Sequence, residues 1–192
     1  MALLTLTALR DEAARQANRP EEVLKSILSE QSAGAVGLGH TYNVFLSHSR
    51  LDAPAILGLK SRLEQEGCSV YIDWIDDPNL QRGNVSPKTA AYLRERMRTC
   101  ASLLYAFSLA AGESRWMPWE LGYFDGMRGL VAVAPLSVGP TSSYEGREYL
   151  GLYPYMDDAP QNGTAVSRLW INEGKKYVLF KEWLKGELPR AY

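Results

Sequence analysis

The sequence predicts an α/β protein, with a central parallel sheet of about five strands, helices on both faces and a helical N-terminal extension. Three observations carry that reading. Compact apolar runs recur at Tyr42–Ser47, Ser69–Asp73, Ser102–Phe107 and Leu130–Leu136, each of strand length and nearly free of polar residues. Segments with apolar residues at helical spacing separate them, as with Ile56, Leu57, Leu59 and Leu63. Strands that are apolar on both faces and alternate with helices belong to a parallel sheet covered on both sides, with right-handed crossovers.

Residues 1–39 read as a helical extension and linker. Leu3, Leu6, Ala13, Val23, Leu24, Ile27 and Leu28 recur at roughly helical spacing, Pro20 suits the first turn of a second helix, and 32–39 is rich in glycine and small residues. Residues 40–192 form the main domain, with an extended C-terminal segment. After the first strand, Pro54 to Glu66 is helical and Gly67 supplies its stop. A polar loop, 76–84, follows the second strand. Ser86 is placed to cap a helix that opens with Pro87 and runs through Cys100. The third strand leads through a loop of small residues into a helix beginning near Trp116. Beyond the fourth strand the pattern weakens. Residues 142–150 read as a helix, and Tyr153–Met156 as a short edge strand, where Pro154 is tolerated. Leu169–Ile171 and Tyr177–Phe180 read as a small hairpin, or as a strand plus a helix end, and 181–188 as a last helix.

Composition narrows the function classes. A net charge of -1 gives no basic field to hold a nucleic-acid backbone. No run approaches the roughly 18 apolar residues of a membrane span, and the apolar start lacks the basic segment and cleavage site of a secretory leader. Cys68 and Cys100 have no CxxC pattern or histidine cluster around them, so they read as buried thiols of a reducing cytoplasm. With His40 and His48 as its only histidines, the chain implies no metal site. The expectation is a cytoplasmic protein that engages neither nucleic acid nor membrane.

Open α/β sheets bind ligands beyond the carboxyl ends of their strands. Three segments should meet there: Ser47, His48, Ser49 and Arg50 after the first strand, Asp73 to Asn84 after the second, and Trp116 to Glu120 after the third. Trp116 and Glu120, four residues apart, share one helix face. Hydroxyls, an imidazole, the carboxylates of Asp73 and Glu120, the indoles of Trp116 and Trp119 and the phenol of Tyr105 suit a ribose carrying a flat heterocycle. The structural alternatives are capping or turn bonding for Ser47 and Ser49, a loop position for His48 and a core position for Trp116. Phosphate-cradling motifs are missing, since the glycines at 34, 37 and 39 precede the first strand instead of following it, and GxxxxGK[ST] and GxSxG do not occur.

Four segments, in order, carry a resemblance to a known family. They are Tyr42-Asn43-Val44-Phe45-Leu46-Ser47-His48-Ser49, Val70-Tyr71-Ile72-Asp73 with Leu80-Gln81-Arg82-Gly83, Leu103 to Ser108, and Trp116-x-x-x-Glu120. Together they resemble the first box, the second strand with its BB loop, the third strand and the WxxxE element of the Toll/interleukin-1 receptor (TIR) domain. Asn43 stands where an acid is usual and His48 where a tyrosine is usual. The match spans about residues 41–138 and leaves both ends of the chain unexplained.

The resemblance implies a flavodoxin-like TIR fold and two kinds of activity. Some TIR domains are adaptors or virulence modules that assemble through BB-loop contacts. Others are enzymes that cleave NAD with the WxxxE glutamate, here Glu120. Standalone antiphage TIR proteins of the Thoeris type make a cyclic ADP-ribose isomer that activates a separate effector. On this reading NAD is the substrate and no cofactor is needed. Ser47, His48, Ser49, Asp73, Tyr105, Trp116 and Trp119 would line the NAD site, Arg50 and Arg82 could meet the diphosphate, and copies of the chain would associate through TIR–TIR contacts. A nucleoside deoxyribosyltransferase-like enzyme is a further alternative, since it also sets a carboxylate against a ribosyl carbon.

Overall fold

The computed structural model describes residues 2–16, 39–80, 82–83, 85–108, 110–141, 144, 146, 148–161, 164 and 166–191. The second helix start at Pro20 and most of the 32–39 linker lie outside them. Among the described residues eight strands form one sheet: β1 (Leu4–Thr5), β2 (Tyr42–Ser47), β3 (Val70–Tyr71), β4 (Cys100–Phe107), β5 (Val131–Ser137), β6 (Tyr155–Pro160), β7 (Ser167–Glu173) and β8 (Lys176–Leu179). The helices are α1 (Leu6–Gln16), α2 (Ala53–Gln65), the single turn α3 (Asp73–Asp76), α4 (Pro87–Arg98), α5 (Met117–Arg128) and the short α6 (Phe180–Trp183).

The order β3-β2-β4-β5-β6 is parallel throughout, and β7 and β8 extend it as an antiparallel hairpin. The five parallel strands have the 2-1-3-4-5 order of the flavodoxin-like fold, whose strand order reverses between β2 and β4. Alternation along β2 sends Val44 and Leu46 to one face and Phe45 and Ser47 to the other. On the first face, Ile56, Leu59 and Leu63 of α2 and Leu9 of α1 pack against Val44, Leu46, Leu104 and Ala132. On the second, Leu93 and Met97 of α4 and Met117, Leu121 and Phe124 of α5 cover Phe45, Leu103, Val131 and Val133.

The strands and helices predicted between residues 42 and 136 are present, with ends shifted by a few residues. The polar loop after β3 begins with the helical turn α3. Beyond β5 the differences are larger. β6 is an interior strand, paired parallel to β5 and antiparallel to β7. Pro154 sits just ahead of it, where no ladder N–H is needed, and its carbonyl accepts from Val133 N. Among the described residues of 142–150, the structure has the start of a 3-10 segment, Glu148–Leu152, in place of the predicted helix. Gly146 and Gly151 cross so closely there that a Cβ on Gly146 would lie 2.3 Å from the Gly151 Cα, a contact a regular helix does not make.

β5 and β6 pair only at Val133 and Tyr155. Beyond that pair β1 inserts, setting Leu4 and Thr5 beside Leu136 and Ser137, while Ala2 bridges to Asp158. Residues 2–16 thus give the sheet a strand and cover α2 with a helix. Glu12 is buried in that contact. Burial pushes its carboxyl up, but donors from Ser61, Gln65 and Gln16 and the charge of Arg15 bring it below the ordinary value. Among the described residues no helix is long and apolar enough to cross a membrane.

The approach of α1 to α2 depends on Gly58, where an added Cβ would fall 1.8 Å from the Leu9 carbonyl oxygen. Gly58→Ala gains about 1 kcal/mol of helix propensity but forces the two backbones apart, an overpacking cost near the upper end of about 1–3 kcal/mol. A net loss of about 2 kcal/mol in urea unfolding is expected; a variant as stable as the parent would show that α1 does not pack this way.

Candidate active site

The site is built where the strand order reverses. Ser47 ends β2 on the face that α5 covers. Met117, Glu120, Leu121 and Phe124 follow the i, i+3, i+4, i+7 spacing of a core-facing stripe, so Glu120 is carried into the interior with them. Its side chain is 0% exposed. An acid at that depth needs partners, and it has two: the Ser47 hydroxyl donates to Oε2 at 2.6 Å, and Arg82 Nη2 donates to Oε1.

Arg82 reaches in from the loop after α3. Its Nη1 donates to Asp73 Oδ2 at 2.7 Å, so one guanidinium bridges two carboxylates. Burial acts against its charge, but Glu120 and Asp73 together push its pKa up. Burial would likewise raise Asp73, but the guanidinium beside it holds that carboxyl below its usual range. Trp116 fixes the same loop from the other side, its indole N–H donating to the Arg82 carbonyl at 2.8 Å.

His48 lies next to Asp73. Its Nδ1 is 2.7 Å from the Leu46 carbonyl, which can only accept, so Nδ1 carries the proton. Nε2 then accepts from the Trp74 indole at 2.6 Å. Nε2 is also 3.5 Å from Asp73 Oδ1, but in this tautomer both are acceptors. Oδ1 of Asp73 is buried and meets no donor in hydrogen-bond geometry among the described residues, while the Trp74 backbone N–H also helps to hold the carboxyl down.

The loop bearing Arg82 starts from an anchored carboxylate pair. Asp76 accepts from Ile72 N and the Tyr42 hydroxyl, both at 2.8 Å; burial pushes its carboxyl up, in part offset by these donors. Asp77 takes the Arg96 guanidinium in two contacts, at 2.5 and 2.6 Å, and the hydroxyls of Tyr71 and Tyr92. Arg96 is fully buried, with Tyr71 and Tyr92 beneath its guanidinium.

A cavity of about 530 Å³ opens beside these groups, in the range of small-molecule sites. His48, Ser49, Asp73, Arg82 and Trp116 line it, with Arg50 and Arg115 among the residues at its edge. The structure therefore gathers Ser47, His48, Ser49, Asp73, Trp116 and Glu120 at one place. Ser49 also caps the 3-10 turn Arg50–Asp52, accepting from Leu51 N at 3.4 Å. Tyr105 pairs with Ser47 across β2 and β4 but is buried in the core layer. Trp119 turns to a neighbouring hollow of about 360 Å³, stacked on Tyr123 with Arg94 over its ring.

The geometry differs from the sequence expectation in several respects. Tyr105 and Trp119 do not line the cavity, and Glu120 does not stand open to the cleft, because Arg82 stands over it. Arg82, which the sequence offers as a diphosphate contact, is engaged by both carboxylates. The Asp77–Arg96 pair is absent from the sequence reading. A signal for it exists: Arg96 lies on the same helical stripe as Leu93 and Met97, where a charge must find a buried partner.

A buried carboxylate at the crossover point of a 2-1-3-4-5 sheet, beside a cavity of ligand size, defines a ligand-binding α/β domain. No family model matches the chain. It is 48% identical over 166 residues, 85% of its own length and 86% of the relative's, to a protein of Bacillus cereus (strain MSX-D12) named probable 3' cyclic ADP-D-ribose synthase ThsB'. It is 30% identical over 105 residues to a protein of Cytobacillus dafuensis named putative cyclic ADP-D-ribose synthase TIR2, covering 54% of this chain and 27% of that longer protein. The chain belongs to the Thoeris-like TIR family of the ThsB' protein.

Removing Arg96 would strand Asp77 in the interior with only hydroxyl donors. Arg96→Ala is expected to cost about 3–5 kcal/mol in denaturant unfolding, with much of the loss recovered when Asp77→Asn is added. A loss below about 1 kcal/mol would mean that the pair does not anchor the loop.

Proposed function

We propose that this chain cleaves the nicotinamide–ribose bond of NAD and closes the remaining ADP-ribose into a cyclic isomer, with Glu120 as the catalytic carboxylate. The observation that carries the reading is Glu120 itself, buried between Ser47 and Arg82 beside a cavity of about 530 Å³. The names of both relatives support it, and the 3' in the name of the first favours a product joined through a ribose 3′-hydroxyl.

Nicotinamide in NAD is cationic and leaves as a neutral ring, taking the electron pair of the breaking C–N bond, so its departure needs no proton. Positive charge then develops on the ribosyl carbon. A carboxylate within reach stabilises that oxocarbenium-like state, and in a dry site such an interaction is worth several kcal/mol. Ser47 orients the carboxylate through its hydrogen bond to Oε2. Trp116 holds the loop and offers an indole face to the substrate, and Arg50 and Arg115 give the mouth of the cavity positive charge for a diphosphate.

Arg82 must leave Glu120 before the ribose can reach it. The incoming diphosphate is a suitable competitor, because guanidinium groups bind phosphate oxygens in the same two-pronged way as carboxylates. The other candidate residues contribute through binding: Ser49 and His48 at the cavity wall, with Tyr105 and Trp119 supporting the layer behind it. Self-association through TIR–TIR contacts, a cytoplasmic location and a downstream effector that reads the cyclic product in antiphage defence complete the proposal.

Chromatography of NAD incubated with the wild type and with Glu120→Gln tests it. Nicotinamide release is expected from the wild type and at least about a thousandfold less from the variant; turnover retained in Glu120→Gln would remove the carboxylate from the chemistry. Arg82→Lys keeps the charge and loses the fork. Its KM for NAD is expected to rise roughly tenfold, and an unchanged KM would show that Arg82 does not meet the substrate.

A further inference from the structure

We infer that Asp73 seats the adenosine ribose and accepts the proton of the 3′-hydroxyl as that oxygen closes the ring. The inference rests on the proposed NAD cleavage. It starts from one unpaired atom. Asp73 is buried and lines the cavity, its Oδ2 is held by Arg82, and among the described residues its Oδ1 has no donor in hydrogen-bond geometry. His48 Nε2, 3.5 Å from Oδ1, is already used as an acceptor by the Trp74 indole. A buried carboxylate oxygen left without a donor costs free energy, and a substrate hydroxyl supplies the donor it lacks.

The order of charges identifies which hydroxyl. Glu120, Arg82 and Asp73 are joined in a row as carboxylate, guanidinium and carboxylate. NAD presents a matching row of ribose, diphosphate and ribose. With the nicotinamide ribose at Glu120 and the diphosphate at Arg82, the adenosine ribose falls to Asp73. Arg82 holds Oδ2, so Oδ1 is the oxygen left to accept from that sugar once the shift of Arg82 toward the diphosphate uncovers it.

The step balances. The C–N bond to nicotinamide breaks, and the ring leaves with both electrons. The adenosine 3′-oxygen forms a new bond to the anomeric carbon of the other ribose. Its proton passes to Asp73 Oδ1 and then to solvent, giving nicotinamide, cyclic ADP-ribose and one proton. Water taking the place of the hydroxyl yields linear ADP-ribose, so Asp73 governs how the common intermediate divides between the two products.

The ratio of cyclic to linear product reads this directly, and a merely structural defect does not move it. Products of NAD are quantified for the wild type, Asp73→Asn and Glu120→Gln, and for the wild type given the NAD analogue without the adenosine 3′-hydroxyl. The ratio is expected to fall at least about tenfold in Asp73→Asn, a modest share of what a positioned base supplies, and the analogue is expected to give only linear product. A ratio within about twofold of the wild type, a folded Asp73→Asn that releases no nicotinamide, or a cyclic product from the analogue overturns the assignment and leaves NAD cleavage standing. A wild type that releases no nicotinamide overturns the cleavage reading itself. If Asp73→Asn does not fold, Asp73→Ser, a smaller residue without the carboxylate, carries the same comparison.

Discussion

A carboxylate on the core-facing stripe of α5 is the constraint around which this site is arranged. Glu120 occupies a position that its neighbours Met117, Leu121 and Phe124 fill with apolar side chains. Burial of an unpaired charge costs several kcal/mol at the least. The fold must therefore bring a donor to each oxygen. Ser47 arrives on the tip of β2, fixed by the sheet, and Arg82 arrives on a loop, fixed by little of its own. Everything that positions that loop follows from the second requirement.

The loop is anchored accordingly. At its start, Asp76 and Asp77 are tied to Tyr42, Ile72, Tyr71, Tyr92 and the buried Arg96, so the chain leaves α3 in a set direction. Where the loop passes α5, the Trp116 indole holds the Arg82 carbonyl. The tryptophan and glutamate of the WxxxE element thus grip one residue by its two ends, the first by its backbone and the second by its guanidinium. Asn43, which stands where the TIR pattern has an acid, has a local anchoring role as well. Its side-chain oxygen accepts from Ser69 N at 2.8 Å and ties β2 to the entry of β3.

Much of this is legible in the sequence. The strands and helices from 42 to 136 follow from apolar runs and helical spacing, because local pattern and tertiary burial agree there. The meeting of Ser47, Asp73 and Glu120 follows from where an open sheet places its carboxyl ends. Contact between segments far apart in the chain is what cannot be read. Nothing local to β1 says that it inserts between β5 and β6, and Pro154 with a short apolar run resembles an edge because the strand that covers β6 lies beyond it. Glu120 and Trp116 fall on one helix, as their spacing requires, but it is the stripe with Met117 and Phe124 that decides that the carboxyl is covered. Asp73 and Arg82 each stand out as site candidates, yet their bridge to one another depends on a loop path no spacing rule gives.

The bridged triad has a consequence for how a charged substrate enters. Two carboxylates share one guanidinium, so the buried cluster is short of positive charge. Taking Arg82 away without replacement would leave both acids exposed to the full cost of burial. NAD brings what the exchange requires: a diphosphate to engage Arg82 and a cationic nicotinamide riboside to sit against the carboxylate that Arg82 releases. Glu120 and Arg82 each lose one partner and gain another while Asp73 keeps Arg82, so in the proposed reading no ion is left unpaired as the reactive carbon is delivered to Glu120. A neutral nucleoside of the same shape offers no such exchange, and it would meet a site whose acid stays closed.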